Sequence, residues 1–169
     1  MIGKWIGAML VIAGCGAVGF SVASGYRKAE AGLRQLMDAL GYMESELAFR
    51  MTPLPDLCRL TGNAQKNPVG RAFAILSQGL ERQVSPDVTA CVQEMLSQVE
   101  LPKSVQEGFR KLGTSLGRFD LEGQIKGLQQ VRDDCRRELE NMSLNREERL
   151  RSYQTLGLCA GAALAILFV

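Results

Sequence analysis

Residues 33–47 read Leu33-Arg34-Gln35-Leu36-Met37-Asp38-Ala39-Leu40-Gly41-Tyr42-Met43-Glu44-Ser45-Glu46-Leu47. Leu33, Leu36, Leu40, Met43 and Leu47 recur at alternating steps of three and four, which draws one apolar stripe along a helix. Arg34, Asp38 and Glu44 fall off that stripe. A helix with one greasy face needs other helices to cover it, so the stretch predicts one member of a bundle.

Further stripes follow toward the C-terminus. They are Val69, Phe73, Leu76, Leu80; then Val88, Cys91, Met95, Val99; then Val105, Phe109, Leu112, Leu116. Three helices are expected to open at Thr52-Pro53, Asn67-Pro68 and Ser85-Pro86, each with a capping side chain before a proline just inside the start. A fourth is expected to open at Ser104-Val105-Gln106-Glu107, read as a capping box. The last helix is long: Leu121, Ile125, Leu128, Cys135, Leu139, Met142 and Leu150 hold a near-heptad pattern up to Tyr153. No strand alternation stands out. The fold expected is all-α, an antiparallel bundle of five to six helices.

The two ends of the chain are different in kind. Trp5 to Gly25 reads WIGAMLVIAGCGAVGFSVASG without a charge. Its length of about 21 residues matches a hydrocarbon core of roughly 30 Å. Tyr153 to Val169 is also uncharged, and its span of about 17 residues is near the lower limit for crossing. The expected organisation is an N-terminal transmembrane helix over 1–26, a helical bundle over 27–152 and a C-terminal transmembrane helix over 153–169. Arg27, Lys28 and Arg34 follow the first segment, and Arg146, Arg149 and Arg151 precede the second. That bias places the bundle in the cytoplasm. In the terminal segments Ala13, Ala17, Ser21 and Gly25 fall four apart, and Gly157 and Gly161 form a G-x-x-x-G. Such small-residue ridges let helices approach closely in lipid.

Composition argues against catalysis and nucleic-acid binding. The chain of 169 residues is 22% charged with a formal net charge of +2, and has no histidine. The balance is wrong for a nucleic-acid binder, and the commonest general base and metal ligand is missing. Cys15, Cys58, Cys91, Cys135 and Cys159 form no Cys-x-x-Cys pair and read as small hydrophobes in a reducing compartment. No clustered metal ligands, cofactor motif or nucleophile–base set can be assembled. Gly14-Cys15-Gly16-Ala17-Val18-Gly19 has the dinucleotide-binding glycine spacing, but no βαβ pattern surrounds it. Asp133-Asp134 and Glu147-Glu148 sit among arginines, as on a solvated, ion-paired face. The rival reading is a lipid-anchored extracytoplasmic protein. Its support is the lipobox-like Ile12-Ala13-Gly14-Cys15, and the apolar run that continues beyond Cys15 speaks against it.

Three stretches resemble the stage III sporulation protein AB family. The first is Glu44-Ser45-Glu46-Leu47-Ala48-Phe49-Arg50-Met51-Thr52-Pro53-Leu54-Pro55, like the family's spaced glutamates followed by Thr-Pro-Leu. The second is Leu112-Gly113-Thr114-Ser115-Leu116-Gly117-Arg118-Phe119-Asp120-Leu121-Glu122-Gly123-Gln124, like its Leu-Gly-x-x-Asp-x-x-x-Gln segment. The third is Tyr153-Gln154-Thr155-Leu156-Gly157-Leu158-Cys159-Ala160-Gly161. The tryptophan frequent in the family's fourth helix is absent, and Cys91 stands near its place.

The family's cytoplasmic domain is similar to the F-type platform proteins of type II secretion and type IV pilus machines. The resemblance implies a non-enzymatic component of a channel-like sporulation complex, in the mother-cell membrane around the forespore. It implies two kinds of partner: a secretion-type ATPase (stage III sporulation protein AA) and other membrane proteins of the complex. No nucleic acid, small-molecule substrate or cofactor is implied. Asp120 is expected to cap the last helix, with Gly113 and Gly117 loosening the turn before it. Thr52, Pro53, Leu54, Gly113, Gly117, Asp120 and Gln124 are the candidate partner-facing positions.

Overall fold

In the computed structural model the stripe from Leu33 to Leu47 is buried as its spacing requires: no member is more than 4% exposed. The structure describes the backbone of residues 2–82, 87–117 and 120–168, and the side chains of 24–82, 87–117 and 120–144. Among the described residues there are six helices and no strands. They are α1 (Ile2–Arg50), α2 (Leu54–Ala64), α3 (Val69–Arg82), α4 (Val88–Gln98), α5 (Lys103–Ser115) and α6 (Leu121–Phe168).

The stripes of α3, α4 and α5 meet that of α1 in one core. Phe73 and Phe109 lie at its centre, fully buried, with ring centroids 5.0 Å apart and planes tilted by 56°. Each such side chain taken from water contributes roughly 1.5–3 kcal/mol, and a tilted aromatic pair adds roughly 0.5–1.5 kcal/mol. Leu128, Val131 and Cys135 of α6 close the core. α1 and α6 run antiparallel: Leu47 lies near Leu121, Glu44 meets Gln129 and Arg132, and Leu33 lies near Asp134 and Glu138.

Close approach is secured by missing side chains. A Cβ on Gly108 would stand 2.5 Å from the Leu36 side chain, so α5 lies tight on α1 only as glycine. A Cβ on Gly70 would stand 2.5 Å from the carbonyl oxygen of Gln65 and 2.8 Å from that of Gly62, which locks α2 against α3. Ser77 adds a buried link, its hydroxyl donating to the carbonyl of Pro55 at 2.9 Å.

The helix starts differ from the sequence expectation by one or two positions. Pro53 and Pro102 are themselves the N-caps, at φ −56° and ψ 145°. Their carbonyls accept the first helical bonds, from Leu57 at 2.8 Å and from Gln106 at 3.0 Å. Pro68 likewise accepts from Ala72 at 3.1 Å. A proline is preset for that extended conformation and has no N–H to leave unpaired. Thr52 therefore does not cap α2; its hydroxyl donates to Glu46 at 3.4 Å. The capping box at Ser104 is also corrected, because α5 has already begun at Lys103. Gln106 instead reaches back to donate to the carbonyl of Leu101 at 2.8 Å. Ser85-Pro86 lies outside the described residues, and α4 is capped by Asp87, which accepts from the Thr89 amide at 3.0 Å.

α1 has 49 residues and α6 has 48, and neither breaks at the expected segment boundaries near 26 and 152. Among the described residues no helix is long and apolar enough to cross a membrane. The expected spans, 5–25 and 153–169, lie outside the described side chains except for Ser24 and Gly25.

Candidate partner-docking surface

Two segments far apart in sequence meet where α1 ends and α6 begins. They frame a cleft of about 270 Å³. The α1–α2 corner contributes Leu47, Met51, Thr52, Pro53 and Leu54. The α5–α6 turn contributes Gly117, Leu121 and Gln124. Five of the positions expected to face a partner, Thr52, Pro53, Leu54, Gly117 and Gln124, thus line one feature.

Each side of the cleft is shaped by a residue with left-handed backbone. Gly117 has φ +78°, and a Cβ there would also stand 2.8 Å from Val88. This is a turn that glycine makes without strain. Met51 has φ +51° at the end of α1. Its amide donates to the carbonyl of Leu47 at 3.3 Å. Arg50 and Thr52 both engage Glu46, at 3.6 Å and 3.4 Å, so the second of the spaced glutamates ties the corner together. Behind the cleft Asp120 caps α6, accepting from the Gly123 amide at 3.1 Å. That bears out its expected structural task.

Gly113 does not belong to the turn. It lies within α5, buried, where a Cβ would stand 3.1 Å from Val92 of α4. Thr89 donates to its carbonyl at 3.4 Å. Of the positions expected to pack in the membrane, Ala13, Ala17, Ser21, Gly157 and Gly161 lie outside the described side chains. A Cβ on Gly25 would meet nothing within 4 Å.

Phe49 and Met51 lie in the first family-like segment but are not among the expected partner-facing positions. They are 88% and 71% exposed, the two most exposed large hydrophobics among the described residues. The available signal was the end of the three–four stripe at Leu47, after which Phe49 falls on the solvent side. Also missed was the polar junction of α1 and α6. Arg132 pairs with Glu44 at 2.8 Å, and Gln129 donates to the other oxygen of that carboxylate.

A second groove of about 370 Å³ opens beside α5 and α6, over Leu33, Gly108 and Cys135. Three of its lining charges are engaged: Glu107 pairs with Arg110 at 3.1 Å, and Asp134 is bonded by Lys111 and by Arg137 outside the groove. Those bonds hold the Asp134 carboxyl below the ordinary carboxylate range and the Lys111 ammonium above its usual value. Cys58, Cys91 and Cys135 are free and buried. Burial pushes the Cys58 thiol up to about 12 and Cys135 to about 11, and raises Cys91. A thiol so placed is a packing group and a poor nucleophile. Among the described residues no three acidic, cysteine or histidine side chains are grouped to hold a metal ion.

The described residues define a class: an all-helical scaffold whose first and last helices run on to the chain ends and whose opposite tip carries an apolar cleft. A family profile described as stage III sporulation protein AB matches residues 4–169, nearly the whole chain, and the chain belongs to that family. It is similar to "Stage III sporulation protein AB" of Bacillus subtilis (strain 168), 24% identical over 169 residues, covering 98% of this chain and 99% of the relative. A solved structure of "Stage III sporulation protein AB (SpoIIIAB)" shares the fold with a TM-score of 0.61 at 20% identity, covering 72% of this chain and 98% of the other.

Proposed function

We propose that this chain is a non-enzymatic membrane platform protein of a sporulation complex between mother cell and forespore. Residues 1–26 and 153–169 would cross the mother-cell membrane around the forespore, and the bundle of 27–152 would face the cytoplasm. There it docks a secretion-type ATPase, which supplies the nucleotide chemistry, and passes motion to membrane partners. The observation that carries this reading is the tip cleft: family-like segments from both halves of the chain converge on it, at the end of α1 and α6 remote from the apolar termini. The unbroken helicity of α1 and α6 supports the transmission, because a continuous helix is stiff at 1.5 Å rise per residue.

Three measurements test it. The full-length protein in lipid vesicles should co-sediment with purified stage III sporulation protein AA. With the native cysteines replaced, a cysteine at Lys66, exposed between α2 and α3, should be protected from an impermeant maleimide in intact cells. Labelling without permeabilisation would refute the cytoplasmic bundle. A flexible Gly-Ser insertion at Ser152 should abolish sporulation while the bundle still unfolds cooperatively. Full sporulation in that variant would remove the transmission step.

A further inference from the structure

Left-handed backbone favours glycine, and an exposed surface favours polar side chains. Position 51 goes against both preferences, with methionine at φ +51° and 71% exposure. Two residues before it, Phe49 stands 88% exposed on a helix where a polar residue would fold as well. Neither side chain is explained by the fold. Met51 forms a wall of the tip cleft, and the thioether is suited to mould itself around an incoming apolar group.

The surroundings narrow what that group is. The cleft, about 270 Å³, is below the size of common small-molecule sites, roughly 300–1,000 Å³, and admits one or two side chains. Its lining is mostly apolar, with Leu47, Met51, Pro53, Leu54 and Leu121. Among the described residues the cations next to the lining are paired, Arg50 with Glu46 at 3.6 Å and Lys126 with Glu122 at 2.7 Å. Among the described residues nothing here concentrates the positive field that a polyanion such as nucleic acid or an anionic lipid surface would need. Along α1 the tip is also roughly 39 Å from Gly25, far from where lipid would begin.

We propose that the tip cleft receives an apolar side chain of leucine or phenylalanine size from a folded protein partner, with Met51 as its adaptable wall and Phe49 as a flanking contact. The proposal rests on the docking reading above and specifies its chemistry. In protein interfaces a few residues buried in well-packed pockets carry most of the energy.

The test uses full-length protein in nanodiscs with purified stage III sporulation protein AA as the probe. Binding is measured at 50 and 500 mM NaCl, beside thermal unfolding of each variant. Met51→Gly should weaken binding at least tenfold while the unfolding temperature stays level or rises. Phe49→Ser, at a site too exposed to disturb the fold, should weaken it severalfold. Wild-type affinity should change by less than about threefold with salt.

Variants that bind like wild type would overturn the proposal and leave docking elsewhere on the bundle intact. Steep salt dependence would replace apolar recognition with charge recognition. A lower unfolding temperature for Met51→Gly would make Met51 a folding residue. Concentration-dependent dimers abolished by Phe49→Ser would make the occupant a second copy. No binding by the wild type would overturn both the docking reading and this proposal.

Discussion

Two turns face each other across the tip, and both solve the same backbone problem. At the α5–α6 turn the left-handed position is Gly117, and at the α1–α2 corner it is Met51. Glycine is the strain-free solution, and at Gly117 it is also needed because Val88 leaves no room for a Cβ. At Met51 the chain accepts strain in an L-residue, a cost of roughly 1–2 kcal/mol, although the side chain is mostly in solvent. The contrast separates a position where folding calls for glycine from one where folding alone does not call for the residue present. Strained residues of this type concentrate at functional sites.

Substitutions can break or sharpen that contrast. The largest effect is expected at Gly117→Val, which adds backbone strain to a clash with Val88; it should lower stability by about 2–4 kcal/mol in chemical denaturation. A loss below about 1 kcal/mol would mean that the turn relaxes, and the two turns would no longer differ in kind. Next, Asp120→Ala removes the α6 cap beside Gly117 and should cost about 1 kcal/mol. Met51→Gly is expected to have the opposite sign, from no change to about 1 kcal/mol more stable, because relief of strain is offset by a more flexible unfolded chain. Thr52→Ala breaks only a 3.4 Å bond to Glu46 and should stay within about 0.5 kcal/mol.

The smallest effect lies away from the tip, and a pH titration reads it. The Asp134 carboxyl is held below its ordinary value of 3.8 by bonds from Lys111 and Arg137. Its contribution is therefore complete above that value and is lost as pH falls through the lower folded value. Asp134→Asn should flatten the acid limb of the stability profile below about pH 4, and the tip variants should leave that limb unchanged. The partners are largely solvent-exposed, so the amplitude is small.

The helical class was legible because burial imposes a period, and the stripes of α1, α3, α4 and α5 gave it directly. Asp120 was legible as a cap because its side chain acts within its own turn, on Gly123. Starts of helices were less so: an N-cap proline and an N1 proline look alike in sequence, and only the carbonyl geometry of Pro53 and Pro68 separates them. Gly113 looked like part of a turn because a glycine needed for close packing on α4 has no local signature. Resemblance pointed to both motif segments. That they share one cleft depends on the antiparallel pairing of α1 with α6, a contact between residues more than 60 positions apart that no local pattern encodes. Met51 carried no mark of its left-handed backbone, since methionine is not a residue that announces one.

The polar junction between those two helices has a consequence for how they are held in register. Glu44 offers both carboxylate oxygens to α6, one to Arg132 and one to Gln129. The surrounding stripe of leucines holds its place by close packing rather than by direction, since apolar contact is non-directional. A two-pronged polar contact is directional. Displacement by a single residue, about 1.5 Å, stretches both bonds before another acceptor comes within reach, and the next equivalent position is a full turn, about 5.4 Å, away. The junction therefore marks one register of the helix pair: sliding α6 along α1 would break two directional bonds as well as apolar packing.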